Sequence, residues 1–392
     1  MTRLSIPSKE VQLFIVGERE SFKASRIQRM SLNTDIPSTT VDELGNSLHV
    51  GDAKDIPNVT LTFSAMDVGI KIFSALTGTD ATAYPAAGVD ISNLGQMDAI
   101  VYIKSATASD YIKSAHARKL QIRDFAFNYS VDSESTEDYT AVGSEKRWFT
   151  NDVYAEKFTV GTTSFTLTET PIQMLNSNYA LSIILDGIYL TEVTGAPATG
   201  EYRIVGTTLT TGDSMVTQLM AVYQAAPSGT NWTDVSDALL PVAIKGMDVP
   251  VTIAANSIDR VQSITINGTL NSQAVREMGN RQIVGYQTQV PEITGTITVL
   301  DTDTQLLSLL QFGVTGSGVE YAPGEGCPDA TIALKVELYD PCEVAGTVLK
   351  TVNLDSITVV GDSWTSNTNQ NATQTFNWKS ITAACKIYSG AM

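Results

Sequence analysis

Apolar residues in this chain fall in short runs that alternate with polar ones. That is the period of two expected of half-buried β-strands. Val59, Leu61 and Phe63 alternate with polar neighbours, and Ile293, Gly295, Ile297 and Val299 hold the same phase in a second stretch. Ile27, Met30 and Leu32, and likewise Val261, Ile264 and Ile266, mark strands with partial alternation. Helical spacing surfaces twice. Ile72, Phe73 and Leu76 form a stripe over residues 68–76 with Asp67 as the N-cap, and Leu306, Leu307 and Leu310 form one over 304–310 with Asp301 or Asp303 as the cap. Each stripe is predicted to pack on a sheet.

These elements recur in order. Residues 26–76 lie over 260–310 without a gap. Arg26 meets Arg260, Gln28 meets Gln262, Asn33 meets Asn267, Pro57 meets Pro291 and Asp67 meets Asp301. Roughly one position in three is identical, against about one in fifteen to twenty by chance. The match runs through strand, loop, strand and helix, so it predicts duplication of a whole unit. Between the strands lies a long polar segment, 36–57 in one copy and 270–291 in the other. It carries Asp42, Glu43, Leu44, Gly45, Asn46, Asp52 and Asp55 in the first copy and Glu277, Met278, Gly279 and Asn280 in the second. Its Gly-Asn pairs are turn formers. Beyond the helices the copies align less cleanly. Ile100, Tyr102 and Lys104 resemble Ile332, Leu334 and Val336; Leu120, Ile122, Phe125 and Phe127 resemble Val352, Leu354, Ile357 and Val359; Arg147-Trp148-Phe149 resembles Phe376-Asn377-Trp378.

Residues 152–228 follow a third pattern of short strands, with Asp186-Gly187 as a two-residue hairpin signal and Gly206-Thr207 as a second turn. The expected architecture is mostly β. It comprises a module over 1–150 with an N-terminal arm, a small inserted β-sandwich over 152–228, a linker near 226–240, and a second module over 239–392. Each module is a β-sandwich with one short α-helix.

Composition narrows the function. No apolar run approaches the roughly 18 to 20 residues needed to span a bilayer, and the N-terminal stretch has no apolar signal-peptide core, so folding in a cytoplasm is expected. The net charge of −17 disfavours tight binding to nucleic-acid phosphates. The three cysteines, Cys327, Cys342 and Cys385, have no metal-binding or redox spacing. The only histidines are His49 and His116, and His49 faces Ile283 in the repeat alignment. No P-loop, dinucleotide fingerprint, zinc-protease motif or nucleophile elbow is present. No catalytic, cofactor or metal site is expected.

The repeated strand, Glu-Leu-Gly or Glu-Met-Gly loop, alternating strand and capped helix resemble the tail tube proteins of long-tailed bacteriophages. The resemblance covers most of the chain outside 152–228. It implies a non-enzymatic structural virion protein whose fused modules let a homotrimer form a pseudo-hexameric ring. Stacked rings would make the tube, assembled in the host cytoplasm and resident in the virion tail. By the same resemblance, residues 36–56 and 270–290 are inter-ring loops, residues 1–20 an arm toward the next ring, and 152–228 an outer domain. Implied partners are other copies of the chain, a tape measure protein, tail terminator or distal tail proteins, and double-stranded DNA that passes without binding; no membrane is implied. Two alternatives stand beside this reading. One is a single-ring baseplate hub or distal tail component of the same fold family. The other is a host-glycan binding module using Tyr154, Tyr179, Tyr189, Tyr202 and Tyr223 of the central segment.

Overall fold

The computed structural model describes residues 11–17, 21–24, 26–42, 51–66, 71–77, 85–104, 111–150, 152–159, 163–175, 178–216, 218–226, 244–280, 282–300, 332–340, 347–368 and 371–389. The chain is mostly β-strand in several sheets, with one short α-helix among the described residues, α1 (Lys71–Thr77). Asp67, Glu43 to Asn46, His49, the predicted helix over 304–310 with its cap Asp301, and most of the arm and linker lie outside the described residues.

The first half contains β1 (Val11–Val16), β2 (Ser21–Lys23), β3 (Ile27–Asp35), β4 (Ser38–Val41), β5 (Gly51–Lys54), β6 (Asn58–Ala65), α1, β7 (Val89–Asp90), β8 (Gln96–Lys104), β9 (Tyr111–Ser130), β10 (Thr136–Gly143) and β11 (Glu145–Phe149). β9 is 20 residues long and serves two layers. Its first half pairs with β8, which pairs with β1; its second half pairs with β10, which pairs with β6 and through it with β3. Alternation makes this possible. Leu13, Ile15, Ala99 and Val101 point inward from one layer, Val59, Leu61 and Phe63 from the other, into one buried cluster. α1 buries Ile72, Phe73 and Leu76 in that cluster, and the Phe73 ring meets Phe125 and Phe127 edge-on at 6.2 and 5.9 Å.

The second half contains β20 (Val251–Ile253), β21 (Asn256–Ile258), β22 (Val261–Thr269), β23 (Gln273–Val275), β24 (Gly285–Gln287), β25 (Glu292–Leu300), β26 (Ile332–Tyr339), β27 (Val348–Thr365), β28 (Thr373–Ser380) and β29 (Cys385–Ser389). Its ladders repeat those of the first half. β20 pairs with β21 and β26 as β1 does with β2 and β8; β22 pairs with β25 as β3 with β6; β25 pairs with β28 as β6 with β10. Even the bulges recur. Register shifts at Met97/Ala99 and Ile103/Lys104 have counterparts at Ile332/Leu334 and Leu338/Tyr339. A bulge sits at the same rung of β10–β9 and β28–β27.

These shared bulges correct the alignment beyond the helices. Ala99 corresponds to Leu334, Leu120 to Ile357 and Phe127 to Trp364. Tyr139 to Ala141, not 147–149, correspond to Phe376 to Trp378; β11 corresponds to β29, since both pair with the first half of the long strand. Unequal loops shift the numbering between strands, and a fixed offset from the helices cannot follow that.

The central segment forms two four-stranded sheets. They consist of β12 (Asp152–Phe158), β13 (Ser164–Thr166), β14 (Ala180–Leu185), β15 (Ile188–Tyr189), β16 (Thr191–Glu192), β17 (Glu201–Val205), β18 (Thr208–Thr211) and β19 (Leu219–Ala225). Asp186 and Gly187 both adopt positive φ, 47° and 87°, as the predicted two-residue hairpin requires. β19 is buried on both faces, and the sequence phase explains it. Leu219, Ala221 and Tyr223 face the opposing sheet, while Met220 and Val222 pack against Phe14, Val16, Ile100 and Tyr102 on the outer face of the β1–β8 layer. Tyr102 Oη donates to the Val153 carbonyl at 2.6 Å across this contact.

Candidate functional site

The two halves join edge to edge. The second half of β9 pairs antiparallel with β22, from Ser130↔Ser263 to Asp124↔Thr269. A strand row therefore runs β3-β6-β10-β9-β22-β25-β28-β27 through both halves. The ladder extends at each end, where Val131 N–H donates to the Gln262 carbonyl at 2.9 Å and Leu270 N–H to the Arg123 carbonyl at 2.8 Å. Even-numbered residues of β22 thus turn their backbone groups toward β9.

Gly268 stands opposite Phe125 in this ladder, where a Cβ would lie 2.1 Å from the Phe125 ring. That ring is held by Phe73 and Phe127. Gly268→Ala is expected to cost about 1–3 kcal/mol by overpacking. Urea unfolding read by tryptophan fluorescence checks it, and a loss below about half a kcal/mol would mean that the junction can yield there.

Side chains bind the halves further. Lys350 of β27 reaches into the first half, its Nζ 2.5 Å from Glu137 Oε1, with both side chains wholly buried. The Lys350 ammonium lies 4.3 Å from the centre of the Phe127 ring. Glu137 also accepts from Tyr129 Oη at 3.2 Å and Tyr139 Oη at 2.5 Å. Burial, followed by the neighbouring carboxylate, holds the Tyr129 hydroxyl well above its ordinary pKa, so it remains a donor. β29 pairs with β7, giving a second strand contact between halves.

The same arrangement leaves two complementary sheet edges. Among the described residues, β3, the counterpart of β22, has only β6 as a strand partner, although its Leu32 carbonyl accepts from Lys146 Nζ at 3.2 Å, and residues 358–365 of β27, the counterpart of the paired part of β9, have only β28 as a strand partner. Exposure follows. Leu270 is 1 % exposed in the junction and its counterpart Ile36 is 51 % exposed. Ile36, Val360 and Trp364 are all large exposed apolar residues on these edges.

The polar segments expected as loops are two-stranded ribbons, β4–β5 and β23–β24. Asp42 and Asp52 are exposed. Asp55 accepts from Ile56 N–H at 2.7 Å and pairs with Arg276 of the other half at 3.2 Å; the Ile56 bond is the largest influence on its carboxyl, desolvation opposes it, and Arg276 adds to it, leaving the pKa below the ordinary value. The base of the β23–β24 ribbon rests on the first half, with Ile283 N–H donating to Ser144 Oγ at 3.1 Å and Tyr286 Oη to the Val142 carbonyl at 3.1 Å. Its tip, Glu277, Met278, Gly279 and Asn280, is exposed, and Gly279 takes φ 85° to turn it. The sequence reading had not singled out Arg276, Ser144, Tyr286, Glu137 or Lys350.

A second polar cluster joins the first half to the central segment. Asp98, fully buried, accepts from Tyr189 Oη at 2.8 Å and Lys119 N–H at 3.0 Å and lies 2.9 Å from His116 Nε2. Burial raises the Asp98 pKa, but His116, Arg118 and Ser182 outweigh it and the net shift is downward. The stability it contributes is therefore present above its ordinary value of 3.8 and is lost as pH falls through the lower folded value. Tyr154, Tyr202 and Tyr223 are core residues, Tyr202 Oη bonding Glu192 and Tyr223 Oη bonding Glu156. Tyr189 is committed to Asp98. Tyr179 and Tyr189 are half-buried and packed against the apolar clusters, so none of the five tyrosines presents a freely exposed ring. Among the described residues, no group of three or more His, Cys, Asp or Glu side chains is placed to hold a metal, and no helix is long and apolar enough to cross a membrane. Comparison with known protein families and with curated protein sequences finds no match for this chain.

Proposed function

We propose that this chain is a structural protein of a bacteriophage tail tube. Copies join head to tail into homotrimeric, pseudo-hexameric rings, and the rings stack into a tube for DNA passage. The observation that carries the reading is the β9–β22 junction, with the equivalent edges β3 and β27 left at opposite ends of the strand row. An edge-to-edge contact between non-identical surfaces generates a ring when its rotation closes and a filament when it does not. The internal junction is one such step made covalent, so repeating it between chains would pair every edge of the row. Ring closure also removes the exposed strand edges that otherwise invite uncontrolled aggregation. The strong negative charge suits a wall along which a phosphate backbone slides without sticking. The tape measure protein and the tail terminator or distal tail proteins are the partners this reading implies.

Negative-stain microscopy of the purified chain tests it. Tubes are expected. Isolated rings would select the single-ring hub of the same fold family, and monomers at every concentration would remove both. The tip of the β23–β24 ribbon is the proposed axial contact, because its base is already engaged sideways. Replacing Glu277–Asn280 with two glycines is expected to leave rings intact and stop their stacking; tubes of normal length from that variant would rule out the axial role.

A further inference from the structure

We propose that Lys113 of one copy seats in a socket made by Asp362, Trp364 and Gln374 of a second copy, a contact that rests on the head-to-tail reading. Lys113 occupies in the first half the place Lys350 occupies in the second. Lys113 opposes Ile103 in the β8–β9 ladder, Lys350 opposes Leu338 in β26–β27, and the same bulge follows each pair. Inside the chain Lys350 is received by Glu137 and the Phe127 ring. The counterparts of those two residues, read from the β10–β9 and β28–β27 rungs, are Gln374 and Trp364.

Gln374 has no charge, so a literal copy of the internal site would leave the incoming ammonium without a counter-ion. The chain compensates one strand over. Asp362 stands where the first half has Phe125, on the same sheet face as Trp364, since side chains two residues apart in a strand share a face. Gln374 Nε2 donates to Asp362 Oδ2 at 3.2 Å, which ties the carboxylate to the rung where Glu137 sits in the other half. Each junction thus brings together one lysine, one carboxylate and one aromatic ring. Tryptophan is the strongest cation–π acceptor of the aromatic side chains.

Exposure leaves these side chains where a second copy can reach them. Phe127 is fully buried beneath Lys350, whereas Trp364 is 59 % exposed and Asp362 is exposed in the single chain. Lys113 is exposed as well, its ammonium 4.6 Å from the centre of the Trp148 ring. Transfer from Trp148 to the Trp364 socket exchanges one cation–π contact for another and adds the carboxylate. A second copy of the chain is the only partner for which the internal junction supplies the geometry.

The test is charge exchange, read by sedimentation velocity and negative-stain microscopy alongside thermal melts of each variant. Lys113→Glu and Asp362→Lys are each expected to melt like the parent, because both side chains are exposed, and to need at least about tenfold more protein to assemble, as loss of a charge pair across an interface predicts. The double variant, carrying both changes, is expected to recover most of that loss. Assembly of either single variant at the parent's concentration would overturn the socket, as would a double variant no better than the singles. A parent chain that stays monomeric would remove the head-to-tail reading itself. A parent that assembles while Lys113→Glu assembles equally well would leave that reading standing without this contact.

Discussion

Replacing Lys350 with methionine is expected to destabilise the chain by about 3–5 kcal/mol, the usual consequence of stripping one partner from a buried ion pair. Methionine fills much of the same volume, so packing is nearly conserved and the loss isolates the charge. Glu137 would remain wholly buried with only the hydroxyls of Tyr129 and Tyr139 as donors. The second change discriminates. Glu137→Gln together with Lys350→Met removes both charges and leaves a neutral amide to accept from the phenols. Replacing a buried pair by uncharged groups is often neutral or stabilising, so the double variant should regain most of the loss. Chemical denaturation of the parent, both singles and the double gives the coupling. The prediction fails if Lys350→Met alone costs under about 1 kcal/mol, the range of an exposed pair. Because Lys350 comes from one half and Glu137 from the other, a large coupling would also show that the halves unfold together.

How far the sequence foretold this pair depends on phase. Lys350 shares the parity of Val352 and Leu354, both fully buried, and Glu137 shares that of Tyr139 and Ala141, also buried. A charged residue in step with an inward-facing apolar row is the one local sign of such a pair. It went unread because isolated lysines on strands usually face solvent. The strand alternation, the recurrence of the β3–β6 strand pair as β22–β25, α1 within one turn, and the Asp186-Gly187 hairpin were all legible, since each is a local pattern. The β9–β22 junction was not. It joins segments more than a hundred residues apart, and antiparallel pairing leaves no trace in either strand beyond its ordinary alternation. Only Gly268, a gap in the apolar row of β22 where the first copy has Thr34, marks the spot, and its reason is the Phe125 ring across the ladder. The polar segments misled for a related reason. Turn-forming composition predicted loops, and their short strands β4, β5, β23 and β24 lack an apolar phase because each ribbon has few buried residues.

Thr34→Pro is expected to abolish assembly while leaving the single chain folded. In the internal junction the even-numbered residues of β22 carry the bonds to β9, so by the same alternation the matching residues of β3 beyond its bulge, Met30, Leu32 and Thr34, turn their backbone groups away from β6. Thr34 corresponds to Gly268, and its rung in a repeated junction is Asp362, the counterpart of Phe125. Proline there deletes one outward donor and adds ring bulk on the approaching side, yet costs the β3–β6 ladder nothing, because proline is tolerated on edge strands where the N–H faces solvent. A lost ladder bond with its carbonyl left dry costs about 1–3 kcal/mol at each junction, before the steric conflict is counted. At 1.4 kcal/mol per decade the combined effect should weaken each junction by roughly a hundredfold. Thr34→Val, which keeps the N–H, should assemble like the parent. Sedimentation velocity compares the three, with circular dichroism to establish that the proline variant is folded. Tubes or rings from folded Thr34→Pro at the parent's concentration would mean that β3 is not the edge through which copies of this chain meet.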